Sequence, residues 1–144
     1  MRVVVAIDSF KGSMSSLEAG EAISNGIKKA HKDAEVKIRP LADGGEGTVE
    51  ALSIGMGGRL VNVDVTGPVG RKVSAVYGIV DSSKTAIIEM SQAAGITLVS
   101  GDEKNPLYTT TFGVGELIKD AINKGCRHFV VGIGGSATND CGIG

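Results

Sequence analysis

The first 40 residues combine short apolar runs with one amphipathic segment, the pattern of a β-α-β unit. Val3 to Ile7 is a continuous apolar, mainly β-branched run, which predicts a strand buried on both faces of a parallel sheet. Ser15 and Glu18 have the spacing of a capping box, and apolar residues then recur at helical intervals as far as Ala30. Glu35 to Arg39 alternates and predicts a second strand, so we expect a right-handed crossover between the two strands.

The middle of the chain changes from a helical period to a period of two. Thr48 to Ile54 predicts a short helix, after which Arg59 to Thr66 and Lys72 to Val80 both alternate. The turn sequence Gly67-Pro68-Val69-Gly70 joins these two segments, and Thr85 to Met90 predicts a third strand. We therefore expect an antiparallel meander that is partly solvated on one side.

The last third returns to an α/β pattern. One of the threonines 109–111 is expected to cap a helix that ends near Gly125. His128 to Ile133 then predicts another buried strand, followed by a polar, glycine-containing segment without a helical pattern. A strand and loop without a following helix form an incomplete unit, so we expect the chain to be the N-terminal part of a longer protein.

Composition narrows the classes of function. The net charge is −1, and only 3 Phe, 2 Tyr and no Trp are present, which argues against nucleic acid or an anionic membrane as a partner. Cys126 and Cys141 are isolated, and no apolar run approaches membrane-spanning length, so a soluble, reducing, cytoplasmic setting is expected. Glycine is the outlier, because 22 of 144 residues is roughly twice ordinary usage.

Many of these glycines fall in three polar loops, each placed after a strand. Backbone N–H groups at a helix N-terminus attract anions, glycine lets a ligand approach the backbone, and Asp or Glu can accept a proton or hold Mg²⁺. The carboxyl ends of parallel strands are also where ligands bind in open α/β sheets. Caps and tight turns would account for the same residues without a ligand. The candidates are Asp8, Ser9 and Lys11 in the first loop, Asp43, Gly44, Gly45 and Glu46 in the second, and Gly134, Gly135, Ser136, Thr138, Asn139 and Asp140 in the third.

Formal motif tests leave the chemistry open. A Walker-type phosphate loop is absent from the sequence. Gly132-x-Gly134-x-x-Ala137 fits the relaxed dinucleotide pattern, but the acidic residue expected about 20 positions later would fall beyond Gly144. Arg71 is expected to be a solvated turn charge, Cys141 a small filler, and Glu89 could reach a cleft from the end of its strand.

Taken together, six ordered motifs resemble the bacterial glycerate kinase family, of the glycerate 2-kinase type, along the whole chain. The motifs are Asp8-Ser9-Phe10-Lys11-Gly12-Ser13, Leu41 to Thr48, Thr66-Gly67-Pro68, Ile88-Glu89-Met90, Asn105-Pro106-Leu107 running into Thr109 to Gly113, and Gly132 to Asp140. The resemblance implies an ATP-dependent kinase that phosphorylates D-glycerate, in many members at the 2-hydroxyl. At position 141 this chain has Cys where the family usually has Gly.

The resemblance also implies an architecture. We expect an α/β fold with parallel Rossmann- or flavodoxin-like segments and an inserted, partly antiparallel β-meander, belonging to an incomplete two-domain kinase with its active site between the domains. Residues 1–56 would be the first α/β segment of a split domain. Residues 57–144 would begin the second domain and stop before its C-terminus. The 144-residue chain alone is expected to have little or no kinase activity.

Roles for the loop residues follow from that resemblance as hypotheses. Lys11 would neutralise a transferring phosphoryl group or the glycerate carboxylate. Asp43 or Asp140 would accept the proton of the attacking hydroxyl or anchor Mg²⁺. The remaining candidates would bind substrate or nucleotide: Asp8, Ser9, Gly44, Gly45 and Glu46 in the first two loops, and Gly134, Gly135, Ser136 and Thr138 as an anion cradle with Asn139 orienting the anion. A dinucleotide-dependent oxidoreductase fragment and a non-catalytic metabolite-binding module remain the alternatives.

Overall fold

The computed structural model describes residues 1–10 and 13–144. Lys11 and Gly12 lie outside the described residues, and with them the role expected of Lys11. The described chain forms two sheets, one of two strands and one of four, with helices packed against them.

The first sheet is the predicted β-α-β unit. Strand β1 (Arg2–Ile7) pairs in parallel with β2 (Glu35–Pro40), and helix α1 (Ser16–Ala30) connects them. The capping box is present, because the Ser15 Oγ accepts the Glu18 N–H at 3.2 Å and a Glu18 carboxylate oxygen accepts the Ser15 N–H at 2.8 Å. These local signals fixed the start of α1 correctly.

The second sheet contains the predicted meander. Its strand order is β3 (Arg59–Thr66), β4 (Lys72–Val80), β5 (Thr85–Glu89) and β6 (His128–Gly132). The first three strands pair antiparallel, whereas β5 and β6 pair in parallel. The expected α/β class with a mixed, partly antiparallel sheet is therefore confirmed.

Helices cover both faces of the four-stranded sheet around β5. Helix α2 (Thr48–Gly55) packs on one face, where Val49 contacts Ile87 and Val80. Helix α4 (Phe112–Asn123) packs on the other face, where Leu117 joins the main core with Ile88. Every residue of β5 is buried as a result.

The remaining helical segments are short. They are α3 (Ser91–Ala94) and the 3₁₀ turns Ile96–Leu98 and Gly101–Glu103. Helix α4 has Thr111 as its N-cap, and Gly125 follows its last turn at φ +94°, as expected for a helix end. No described helix is long and apolar enough to cross a membrane.

Two burial expectations were wrong. Strand β1 is not buried on both faces, because only Val5 is buried and Val4 is 65 % exposed. Strand β6 ends at Gly132 and is also exposed, with Val130 and Val131 at 41 % and 40 %. Both strands lie at sheet edges, so an apolar run alone overestimates how much neighbouring elements cover them.

Candidate functional site

The second and third loops meet backbone to backbone at the carboxyl end of β6. The Gly134 N–H donates to the Gly44 carbonyl at 2.9 Å. A Cβ at Gly134 would lie 2.8 Å from the Gly45 Cα, and one at Gly132 would lie 2.6 Å from the Gly44 oxygen. No side chain fits at either position without moving backbone. The structure thus brings two of the predicted loops together, and their glycines contact each other.

Glu89 connects the second loop to the sheet. It ends β5, is 1 % exposed, and accepts the Val49 N–H at 2.7 Å through Oε1. Ser91 also donates its hydroxyl to Glu89 Oε2 at 3.4 Å. The N-cap of α2 is Gly47, which has no side chain to cap the helix, so a carboxylate from another strand takes that place. The sequence indicated Glu89 in two ways, as a residue that could reach a cleft and as part of the motif Ile88-Glu89-Met90, but not as a hydrogen-bond partner of α2.

A cavity of about 560 Å³ lies against this part of the structure. It is formed by the segment after β1, the N-terminal ends of α1 and α2, and the α2-covered face of the sheet. Four glutamates contribute to its wall, which favours hydroxyl groups or cations over an unaccompanied anion. The lining residues are Ser9, Phe10, Ser13, Met14, Ser15, Ser16, Glu18, Glu46, Gly47, Val49, Glu50, Leu60, Val76, Glu89 and Gln92.

A second cavity, of about 520 Å³, lies against the α4-covered face. Glu89 lines the first cavity and the next residue, Met90, lines the second, so the end of β5 separates them. The second cavity combines an apolar floor with most of the polar side chains of the third loop. Its lining residues are Met90, Thr111, Val114, Gly115, Ile118, Val131, Ile133, Ser136, Thr138, Asn139, Asp140, Cys141, Gly142 and Gly144.

Asp140 is bound to the start of α4. Its Oδ2 accepts the N–H of Thr111 at 2.7 Å and the hydroxyl of the same residue at 2.9 Å, while Oδ1 accepts the Gly142 N–H at 3.1 Å. Burial acts to raise the pKa of Asp140, but the hydrogen bonds from Thr111 and Gly142 outweigh it and hold that pKa below the usual range. Asp140 therefore attaches the third loop to Thr111, the N-cap residue of α4.

The predicted acidic residues do not converge on one cavity. Glu46 and Ser9 line the first cavity and Asp140 lines the second, whereas Asp8 and Asp43 line neither. Asp43 closes its own loop by accepting the Gly45 N–H at 3.0 Å, and Asp8 accepts the Ser9 N–H at 2.6 Å. A carboxylate offers about four acceptor positions, so these bonds leave Asp43 and Asp8 able to bind a further group.

The third loop is held by hydrogen bonds within the loop and to the segment that follows α3. The Ser136 Oγ accepts the Thr138 N–H at 3.0 Å, and the Gly135 carbonyl accepts the Ile96 N–H at 2.9 Å. Gly135 has φ +71°, and a Cβ there would lie 3.3 Å from that of Ser91. Cys141, which follows Asp140, was expected to be a small filler. It is exposed and has φ +55°, a conformation that favours glycine. The hypothesis that this loop binds an anion therefore depends on its side chains, because Gly134 and Gly135 have little open space beside them.

The donor set limits how a metal could be held. Among residues 1–10 and 13–144, no group of three or more His, Cys, Asp or Glu side chains could bind a metal ion. Mg²⁺ commonly uses one or two carboxylates together with phosphate oxygens and waters. The described residues therefore fit a Mg²⁺ ion that would arrive with a phosphate ligand and be held by one or two carboxylates, and do not fit a closed protein cage.

Comparison with known protein families identifies a match along almost the whole chain. The model of the glycerate kinase family matches residues 3–144. The chain belongs to this family. Proteins named glycerate kinase from Bacillus subtilis (strain 168) and Haemophilus influenzae (strain Rd) are each 49 % identical to it over 144 residues. Glycerate 2-kinase from Escherichia coli (strain K12) is 47 % identical over the same length.

The similarity extends to three dimensions. A solved structure described as a glycerate kinase 2 from Salmonella typhimurium LT2 matches with a TM-score of 0.89 and 49 % identity over all of this chain. The chain spans 38 % of the length of that structure and of these curated relatives. The family resemblance and the fold class expected from the sequence are thus confirmed.

The dinucleotide pattern finds no support in the structure of this glycerate kinase family chain. In that fingerprint the glycine loop opens a helix whose N-terminus faces the pyrophosphate. Here residues 133–144, all of them described, contain turns and an isolated bridge instead of a helix. Gly132 and Gly134 are also occupied by contact with Gly44 and Gly45.

Proposed function

We propose that the chain supplies part of the active site of a kinase that uses ATP to phosphorylate a hydroxyl group of D-glycerate. The observation that carries this proposal is the match to the glycerate kinase family over residues 3–144. The similarity to glycerate 2-kinase of Escherichia coli favours the 2-hydroxyl as the acceptor and 2-phosphoglycerate as the product. The domain boundary near residues 56 and 57, between the two-stranded and the four-stranded sheet, is part of the same proposal.

Asp43 is our candidate for the proton acceptor or the Mg²⁺ ligand. Phosphoryl transfer depends on positioning and on neutralising charge more than on covalent chemistry, and ATP with Mg²⁺ would supply the activated phosphoryl group. The Asp43 carboxylate accepts one backbone N–H at 3.0 Å, whereas Asp140 accepts three hydrogen bonds, two from Thr111 at the N-cap of α4 and one from Gly142. Substitution of Asp43 is therefore the cleaner test of a chemical role.

We assign the two cavities to different parts of the reaction. The acidic, hydroxyl-rich first cavity, with Ser9 and Glu46, suits the glycerate hydroxyls and a bound cation. The second cavity carries the side chains of Ser136, Thr138 and Asn139, which can donate hydrogen bonds to a phosphate or carboxylate. Contact between the second and third loops would couple the two regions.

A hybrid polypeptide tests the kinase proposal directly. The matching part of the Bacillus subtilis relative, at 49 % identity, is replaced by this chain, and phosphorylation of D-glycerate by ATP is followed by phosphorus NMR. We expect turnover in the hybrid and little or none in the 144-residue chain alone. ATP-dependent turnover of the hybrid that is insensitive to D-glycerate would contradict the substrate assignment, and binding without turnover would favour a metabolite-binding module.

The role of Asp43 is tested in the same hybrid. Asp43→Asn is expected to lower kcat by about 10²- to 10⁴-fold, the usual contribution of a general base, with a small change in thermal stability. Asp64→Asn is the matched control, because Asp64 is an exposed aspartate on β3 and lies outside all three candidate loops. Equal kcat values for Asp43→Asn and Asp64→Asn would contradict the role given to Asp43.

A further inference from the structure

The buried carboxylate of Glu89 has no place in the kinase roles proposed above. We propose that Glu89 is a positioning residue: from the end of β5 it holds the start of α2, and thereby sets the place of the loop 43–47 in the active site. The active-site part of this inference rests on the proposed kinase function. The positioning part rests on geometry alone.

The N-terminus of α2 lacks a side-chain cap from its own loop. The N-cap residue Gly47 has φ +89° and makes no side-chain hydrogen bond to the helix. The Val49 N–H, in the first turn, instead bonds to Glu89 Oε1 at 2.7 Å, across 40 positions of sequence. A carboxylate at a helix N-terminus also interacts favourably with the helix dipole. Glu89 thus replaces the cap that the loop sequence cannot supply.

The other end of the loop 43–47 contacts the end of β6. Glu89 pairs with Gly132 in the parallel register of β5 and β6, and Gly132 contacts Gly44. Gly134 then donates its N–H to the Gly44 carbonyl at 2.9 Å. The second loop is therefore held at two points, near Gly44 by the end of β6 and at the start of α2 by Glu89. Glu46 lies between those points and lines the first cavity.

Position 89 requires a side chain that can accept a hydrogen bond from α2. Glu89 is 1 % exposed, and a buried polar side chain is costly unless hydrogen bonds compensate its lost hydration. An apolar side chain could fill the volume, but it would leave the Val49 N–H without its acceptor. The function that an apolar residue cannot supply at position 89 is this bond to α2, which is the bond that places the loop.

Amide NMR of the ligand-free chain tests the positioning step. In Glu89→Ala, hydrogen exchange at Val49 is expected to accelerate by about tenfold or more, and the amide signals of Gly44, Gly45 and Gly47 should shift. Glu89→Gln keeps an acceptor oxygen and is expected to restore most of the protection at Val49. Unchanged exchange at Val49 and unchanged loop signals in Glu89→Ala would overturn the proposal.

Glu116→Ala is the matched control. Glu116 also accepts a long-range backbone N–H, from Thr66 at 2.5 Å across 50 positions, but it lines neither cavity. Its substitution should accelerate exchange at Thr66 and leave the loop signals in place. Equal displacement of the loop by Glu116→Ala and Glu89→Ala would show a general loss of stability and overturn the positioning role.

Kinetics of the hybrid then separate this inference from the kinase proposal. A lower kcat or a higher KM in Glu89→Ala, with recovery in Glu89→Gln, supports a positioning role in catalysis. A displaced loop together with unchanged kcat and KM would overturn that role. A displaced loop in a hybrid that has no turnover even with Glu89 present would support the positioning step while rejecting the kinase function.

Discussion

Replacing Gly134 by alanine distinguishes two explanations of the glycines in the third loop. A ligand cradle requires glycine because the ligand must approach the backbone. The structure gives a different reason, because the added Cβ would lie 2.8 Å from the Gly45 Cα and 2.9 Å from its nitrogen. Carbon atoms pack best at about 3.5–4.0 Å, so one loop would have to move by roughly 0.7 Å.

The substitution destabilises the fold because the added methyl group contacts rigid backbone atoms. The methyl group meets backbone instead of the end of a flexible side chain, so the contact cannot be relieved by a rotamer change. Such overpacking costs about 1–3 kcal/mol, and movement of the loop would also weaken the bond between Gly134 and Gly44. For a chain of this size, we expect Tm to fall by roughly 3–9 °C in the absence of any ligand.

Calorimetry of the ligand-free chain checks this expectation against Gly26→Ala. Gly26 lies within α1, where an added Cβ would meet no heavy atom within 4 Å among the described residues, and alanine there should stabilise the helix by about 0.5–1 kcal/mol. The two substitutions are thus expected to change Tm in opposite directions. If Gly134→Ala leaves the ligand-free Tm unchanged but weakens nucleotide binding, the packing argument is wrong and the ligand explanation is right.

Three further substitutions have expected outcomes. Ser53→Ala should raise the free energy of unfolding by about 1 kcal/mol in urea titrations, because the Ser53 hydroxyl is buried without a hydrogen-bond partner in the described structure; a decrease would reveal a missed partner. Cys141→Gly should raise it by roughly 0.5–1 kcal/mol by relieving φ +55°, and no gain would argue against strain at that position. Arg71→Ala should raise the pKa of Glu103 from about 2 towards 4.5 in a carboxyl NMR titration, since the Arg71 hydrogen bonds are the main cause of the lowered value. The lowered pKa means that the pair stabilises the fold above about pH 4.5 and loses this effect as the pH falls towards 2, whereas the variant, which keeps only the Ser100 hydrogen bonds to Glu103, should show a weaker dependence.

Local sequence signals predicted the elements that carry the site. The capping box at Ser15 depends on residues three positions apart, and the helix end at Gly125 depends on one residue that tolerates positive φ. The meander followed from a period of two, which is also a local property. The family motifs are also short runs of neighbouring residues, so the family could be identified without any knowledge of long-range contacts.

Properties that depend on distant residues were predicted less well. Burial of β1 and β6 depends on which elements cover each face, and an apolar run does not contain that information. The bond of Asp140 to the N-cap residue of α4 joins positions 29 residues apart, and the bond of Glu89 to α2 joins positions 40 residues apart. Both carboxylates, which the sequence placed near a possible ligand, accept a backbone N–H at the start of a helix.

The same distinction applies to the glycines of the candidate loops. Gly132 and Gly134 lie against the backbone of Gly44 and Gly45, so the missing side chains of Gly132 and Gly134 allow the contact between the two loops. Gly47 differs, because it has φ +89° and an added Cβ would meet no described heavy atom within 4 Å, while the residue lines the first cavity. A ligand can approach the backbone closely only where the space beside a glycine is open. Of these five glycines, Gly47 is therefore the one whose surroundings suit direct contact with substrate, at the loop position that Glu89 holds in place.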